Sequence, residues 1–286
     1  MKNFVIRTMN QTEFDLALDW AAEEGWNPGL FDAIPFRSVD PDGLLIGLID
    51  NEPVAVISAA RYDDFFGFIG FYIVRPDCRG QGFGWKIWQA GMAHLGSRTI
   101  GLDGVLEQQG NYRRSGFKLA HRNIRYQSVS GTVPIAKYPH SDGEILSLQE
   151  LPFDMLLEYD RNFFPTDRHD FLLSWISQPE TVALGLVESK KLVGYGVRRK
   201  CRNGFKVAPL FADSPALAAT LIEALCRDIE PETPFFIDVP ECNQDAISLV
   251  KACGMHKVFE TARMHTGIAP DLSLSRTYGI TSFEFG

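Results

Sequence analysis

The stretch that most constrains this chain is an apolar, aromatic and β-branched run, Phe68-Ile69-Gly70-Phe71-Tyr72-Ile73-Val74. It leads through Arg75-Pro76-Asp77-Cys78-Arg79-Gly80-Gln81-Gly82-Phe83-Gly84 into a segment with Ile87, Trp88, Gly91, Met92 and Leu95 at helical spacing. The run reads as a buried strand, and Pro76 ends it because proline has no N–H for a neighbouring strand. A strand feeding a glycine turn into a helix N-terminus gathers free N–H groups at the positive end of a helix dipole. Gly80, Gly82 and Gly84 lack a Cβ, so an anion can approach the backbone closely. The expectation is a phosphate site; the plainer alternative is an ordinary tight turn.

The rest of the first half reads as a mixed α/β unit. Val5–Thr8 is a short strand, and Asn10 or Thr12 caps a helix through Phe14, Leu18 and Trp20. The segment 44–49 and the segment 54–62 form a hairpin around Asp50-Asn51-Glu52-Pro53. After the helix that follows the glycine turn come a strand from Thr99 to Leu102, then Asp103-Gly104-Val105. A helix containing Tyr112 stops at Gly116, and two short strands, 117–119 and 124–127, close the unit. The loop Glu23–Asp32 reads equally as a helix connector with Trp26 in the core or as a substrate-facing loop.

The second half repeats this plan. Gly185 follows Gly47 by 138 positions (185 − 47), and Gly254-Met255 follows Gly116-Phe117 by the same 138 (254 − 116). One offset joining two distant landmarks argues for two copies of one fold. The expected organisation is a domain over 1–128, a linker over 129–141 and a second domain over 142–286. The copies differ at the glycine turn. The second has Asp213-Ser214-Pro215, in which Ser214 or Asp213 caps a helix with its own side chain, and no glycine leaves room for a phosphate.

A chain of 286 residues suits two domains of common size. The five cysteines form no Cys-x-x-Cys pair and the six histidines are scattered, which argues against a disulfide framework and a metal site. A net charge of −8 disfavours nucleic acid as the main partner and is compatible with an amine substrate. No apolar run is long enough to cross a bilayer, and the N-terminus lacks a signal-peptide core, so the expectation is a cytoplasmic protein with no membrane partner.

The spacing Val74-x-Pro76-x-x-Arg79-Gly80-x-Gly82-x-Gly84 resembles the signature of the GCN5-related N-acetyltransferase (GNAT) superfamily, whose loop holds the pyrophosphate of acetyl-CoA. Asn111-Tyr112-Arg113-Arg114-Ser115-Gly116-Phe117 resembles a second family phrase, in which the Tyr serves many members as general acid. The second copy carries the phrase as Asn243–Met255 with Val250 in the tyrosine's place, and in the first copy Val105 and Gln108 depart from the family's Asn and Ala. Further phrases, among them 24–29, 101–105, 261–267 and 281–286, are similar to a bacterial tandem subgroup. Arg263 and the C-terminal tail either reach the first domain's mouth or pack between the domains.

The resemblance implies two tandem GNAT domains, each a mixed, mostly antiparallel sheet flanked by helices, the second degenerate. It implies acetyl-CoA held by Arg79, Gly80, Gln81, Gly82, Phe83 and Gly84, with the backbone of Ile73, Val74 and Arg75 along the pantetheine arm. Tyr112 would protonate the departing thiolate. An alkylammonium with a pKa near ~10.4 must lose a proton before it attacks. Asp103 is the first candidate for that base, with a turn-capping role as its alternative and Glu107, Asp32 and a water route open. Trp26, Asp32 and Phe36 are the candidate substrate contacts, Trp26 and Phe36 with Phe31 suggesting an apolar-walled pocket. The expected activity is acetyl transfer to a primary amine, a small molecule before a protein lysine or N-terminus. The rival from another class is a non-catalytic acyl-CoA sensor.

Overall fold

The structure, a computed structural model, describes residues 3–129, 138 and 143–286. All of the expected linker except Val129 and Tyr138 lies outside the described residues. The first half runs β1 (Phe4–Thr8), α1 (Gln11–Glu23), α2 (Ala33–Val39), β2 (Leu44–Ile49), β3 (Glu52–Arg61), β4 (Phe66–Val74), α3 (Phe83–Leu95), β5 (Thr99–Val105), α4 (Gln109–Arg114) and β6 (Phe117–Val129). The second runs β7 (Glu144–Ser147), α5 (Phe153–Asp160), α6 (His169–Ile176), β8 (Val182–Glu188), β9 (Lys191–Lys200), β10 (Phe205–Ala212), α7 (Pro215–Cys226), β11 (Pro234–Pro240), α8 (Gln244–Ala252) and β12 (His256–Thr266). The order of strands and helices is the same in both; only β13 (Thr277–Gly279) has no counterpart.

Local chemistry explains most boundaries. Asn10 and Glu13 close a reciprocal capping box at the start of α1. The β2–β3 hairpin turns on Asp50 and Asn51, both with positive φ, which these short polar residues tolerate. Gly116 ends α4 at φ +91.

The fold class is as the sequence indicates, but the two sheets are one. The strand order is β1-β2-β3-β4-β5-β12-β6-β11-β10-β9-β8-β7, antiparallel except at β4–β5 and β10–β11, with β13 attached to β10. Each half sends its last long strand into the other: β12 lies between β5 and β6, and β6 lies between β12 and β11. What reads as two short closing strands is one continuous strand of 13 residues that bridges the halves.

Asn123 pairs with Thr261, and these are again 138 positions apart (261 − 123). A residue facing its own repeat counterpart marks a local two-fold axis, so the halves meet about this pair. An ion pair guards the exchange on each side of it. Arg125 of β6 faces Asp238 of β11, and Arg263 of β12 faces Asp103 of β5. The arginines are repeat counterparts at 138 positions (263 − 125), and the aspartates correspond at 135 (238 − 103).

The halves also share a core. On one face of the sheet Phe36 of α2 stacks on Phe285 at 4.2 Å and meets Phe171 and Trp175 of α6. On the opposite face α3 and α4 cover Ile57, Ile69 and Leu102 with Ile87, Trp88 and Tyr112. Burying a Phe or Trp side chain stabilises by roughly 1.5–3 kcal/mol, so a joint cluster of this kind welds the halves together.

Candidate active site

The site begins with a fault in β4. Gly70 pairs with Ser58 and Ile73 with Val56, so β4 carries one more residue than β3 between these points. The bulge puts Phe71 at φ +47, a left-handed conformation that is rare for a bulky residue. Parallel pairing of β4 with β5 runs from Phe66–Thr99 to Ile69–Leu102 and stops there. Beyond it the strands part around a cavity of ≈ 410 Å³ lined by residues 69–74 of β4 and 102–105 of β5.

At one mouth of the cavity stands the glycine turn. Gly80 and Gly82 have φ of +76 and +83, and a Cβ at either would meet nothing within 4 Å. Gly82 is the N-cap of α3 and supplies no capping side chain, so the first-turn N–H groups keep their capacity for an anion. The turn and this helix end fit a diphosphate: open space, free donors and the helix dipole coincide. Arg79 lies at the same edge, its Nε donating to the Val74 carbonyl at 2.9 Å and its guanidinium paired with Glu24.

Tyr112 lines the cavity from α4, its ring against Trp88 at 5.6 Å. Gly104 is required beneath it, since a Cβ there would come 2.3 Å from the ring. Burial pushes the phenol pKa up, so at neutral pH Tyr112 is an O–H donor.

Among the expected cofactor contacts, Ile73, Val74, Arg79, Gly80, Gly82 and Gly84 line the cavity, whereas Arg75, Gln81 and Phe83 do not. Arg75 is turned away into an ion pair with Asp77, and its N–H is spent on the Val54 carbonyl. The Gln81 amide donates to the Asp77 carbonyl, and Phe83 packs on Phe4 at 4.9 Å. Trp26 lines the cavity, on a loop pinned to the second half through Asn27 and Asn203. Asp32 and Phe36 do not reach it. Asp32 is buried against Arg199 and the Gly29 N–H, and Phe36 is in the shared core.

Asp103 lines the cavity, yet its geometry argues against a base. Oδ2 accepts from Arg263 Nε and Nη2 at 2.9 and 2.5 Å, and Oδ1 accepts from Asn123 Nδ2 at 2.8 Å and Thr261 Oγ1 at 3.2 Å. The side chain has no exposure. Its counterpart Asp238 makes the same kind of pair in the half that has no glycine turn. The pair therefore serves the strand exchange, and the free lone pair a base needs is taken.

The sequence offered the C-terminal tail at this mouth but assigned no site residue to the opposite wall. Phe259 and Thr261 of β12, with Phe283 and Glu284 of the C-terminal segment, all line the cavity. Residues 281–286 are buried throughout. Tyr62 donates to the Phe285 carbonyl at 2.8 Å, and a Cβ on Gly70 would lie 2.1 Å from the Glu284 carbonyl oxygen. The tail thus does both things the sequence left open: it packs between the halves and reaches the cleft of the first. The one signal for it was an aromatic, glycine-ended tail with a single carboxylate.

In the second half the corresponding gap is filled. Parallel pairing of β10 with β11 ends at Val207–Ile237, and β13 enters there, with Leu210 opposite Gly279 and the Ile280 N–H on the Asp238 carbonyl at 2.8 Å. Ser214 caps α7, and Asp213 is engaged by Arg276 and by Tyr159 Oη at 2.7 Å. Among the described residues no group of three or more His, Cys, Asp or Glu could hold a metal ion, and no helix is long and apolar enough to cross a membrane.

Comparison with known proteins agrees with this architecture. The model of the acetyltransferase (GNAT) family matches residues 9–117, and that of an acetyltransferase (GNAT) domain matches 156–279. Holothin acyltransferase of Pseudoalteromonas sp. (strain SANK 73390) is 27% identical over 274 residues, 96% of this chain and 92% of that protein. A putative acetyltransferase of Pyrococcus horikoshii superposes with a TM-score of 0.82 at 23% identity, over 100% of this chain and 97% of the other. A tandem GNAT protein from the clavulanic acid biosynthesis pathway superposes with a TM-score of 0.64 at 12% identity, over 94% of this chain and 100% of the other. The chain belongs to the GNAT superfamily: it is an acyltransferase with one GNAT domain in each half.

Proposed function

We propose that the first half binds acetyl-CoA and that the enzyme acetylates the primary amine of a small molecule by direct attack. The reading is carried by one observation. The open glycine turn, the parted strands and a buried tyrosine line a single cavity, and the second half has its equivalent gap closed.

The N–H groups of the turn and the start of α3, with Arg79, would hold the diphosphate, and the parted edges of β4 and β5 would receive the pantetheine arm. Bound there, the acyl-CoA supplies an electrophilic thioester carbonyl. Tyr112 keeps its proton at neutral pH and can give it to the sulfur as the C–S bond breaks and the C–N bond forms. The protons that the attacking nitrogen sheds leave on the acceptor side of the cleft. Closure of that side by the tail favours a small acceptor over a protein segment.

Release of CoA thiol from acetyl-CoA against a panel of primary amines and lysine peptides tests the reading. A small amine should be turned over and peptides should not. Binding of acetyl-CoA without thiol release for any acceptor would favour the sensor instead.

A further inference from the structure

The wall contributed by the second half contains a carboxylate of which the fold uses one oxygen only. Glu284 is 5% exposed and lines the cavity. Its Oε2 accepts from Ser282 Oγ at 2.7 Å, and that oxygen in turn accepts the N–H groups of Glu284 and Phe285 at 2.9 and 3.1 Å. Its Oε1 is buried and has no hydrogen-bond partner. A buried carboxylate oxygen left unpaired is costly and calls for an explanation.

The surrounding charges do not supply one. Arg125, Arg199 and Lys206 lie within electrostatic reach of Glu284, but each is turned elsewhere. Arg125 pairs with Asp238, Arg199 with Asp32, and Lys206 donates to the Asn27 carbonyl at 3.2 Å and sits 4.0 Å from Asp238. Three cations then face three carboxylates, and none of the three cations gives Oε1 a direct donor. Glu284 lines the cavity and the terminal torsion of a glutamate is soft, so a small turn of the whole carboxylate can present Oε1 to a ligand.

The neighbouring walls are flat and apolar. Phe259 and Phe283 stand 6.0 Å apart, and the Arg125 guanidinium lies 4.7 Å from the Phe283 ring while donating to the Trp26 carbonyl at 2.7 Å. One arginine thus fixes both aromatic walls beside the carboxylate.

Resting on the acetyltransferase reading above, we propose that Glu284 anchors the acceptor's ammonium group and that the acceptor is an arylalkylamine, its ring held among Trp26, Phe259 and Phe283. The second half therefore specifies the acceptor and the first half holds the acyl donor. An N–H donor of the ligand supplies the partner that Oε1 lacks, and a cation does so with a charge-assisted bond.

The test uses the full chain saturated with CoA, titrated calorimetrically with tryptamine, tyramine, spermidine and the uncharged 2-phenylethanol. Tryptamine or tyramine should bind, at least ten-fold tighter than spermidine or 2-phenylethanol. Glu284→Gln, which can keep the Ser282 bond, should weaken that binding at least ten-fold and leave CoA affinity within two-fold. Phe259→Leu, at a position away from the tail, should weaken it several-fold and serves if Glu284→Gln does not fold. Equal affinity of the tested variant and the parent, tighter binding of spermidine, or no arylalkylamine binding to the CoA-loaded parent would overturn the proposal. Failure of the parent to bind CoA would instead remove the reading on which it rests.

Discussion

Replacing Asp103 by Asn separates a structural carboxylate from a catalytic one. The substitution removes the charge that faces Arg263, whose side chain is only 10% exposed, and leaves a nearly buried guanidinium uncompensated. Breaking one partner of a buried pair costs about 3–5 kcal/mol. Unfolding a chain of 286 residues has an entropy of about 0.6 kcal/mol per degree at the midpoint, from roughly 2.1 cal/mol/K per residue. The melting temperature should therefore fall by about 5–8 °C, measured by scanning calorimetry at fixed protein concentration. Asp238→Asn should cost a similar amount, because Arg125 is left in the same position by the pseudo-symmetry. Removing both partners, as in Asp103→Leu with Arg263→Met, should recover part of the loss. A melting temperature within 1 °C of the parent, with CoA release slowed a hundred-fold and the acid limb of its pH profile gone, would make Asp103 the base and refute the reasoning.

Three further outcomes are expected. Gly82→Asp places a side chain at φ +83 and a negative charge where a diphosphate should lie, so acetyl-CoA affinity should drop by more than ten-fold in calorimetry; an unchanged affinity would remove the turn from the site. Tyr112→Phe should slow CoA release by about 10²-fold or more without altering CoA binding, and full-speed turnover would deprive Tyr112 of its role. His265, 5% exposed, has its pKa lowered to about 3 by burial, then by Arg263 and His121. Its folded value lies below the unfolded one, so its contribution is complete above pH 6.5 and is lost as pH falls from there toward 3. Between pH 7 and pH 5 it should account for about 2 kcal/mol of lost stability, and a variant His265→Gln that melts with the same pH dependence as the parent would contradict this.

What was legible in the sequence was what is local. The glycine turn, its helix and Tyr112 lie within a span whose periodicity and turn chemistry fix their conformation, and the repeat offset disclosed two copies of one fold. The exchange of β6 and β12 was not legible, because period-two alternation identifies a strand and is silent on its partner. The ion pair of Asp103 was hidden for that reason: its partner Arg263 is distant in sequence, and only the register of β12 brings them face to face. Asp32 and Phe36 lie close to Trp26 in sequence, but α2 turns them into the core shared with α6. Glu284 was hidden because the tail has no repeat counterpart, and its meaning depends on Gly70 leaving room for it.

The central claim is that this chain has one acyl-CoA site, in its first half. Titration calorimetry of acetyl-CoA into the full chain tests it most directly. One site per chain is predicted, lost in Gly82→Asp and retained in a variant of the second half's turn such as Ser214→Ala. Two sites per chain, or binding that survives Gly82→Asp and disappears with Ser214→Ala, would contradict it.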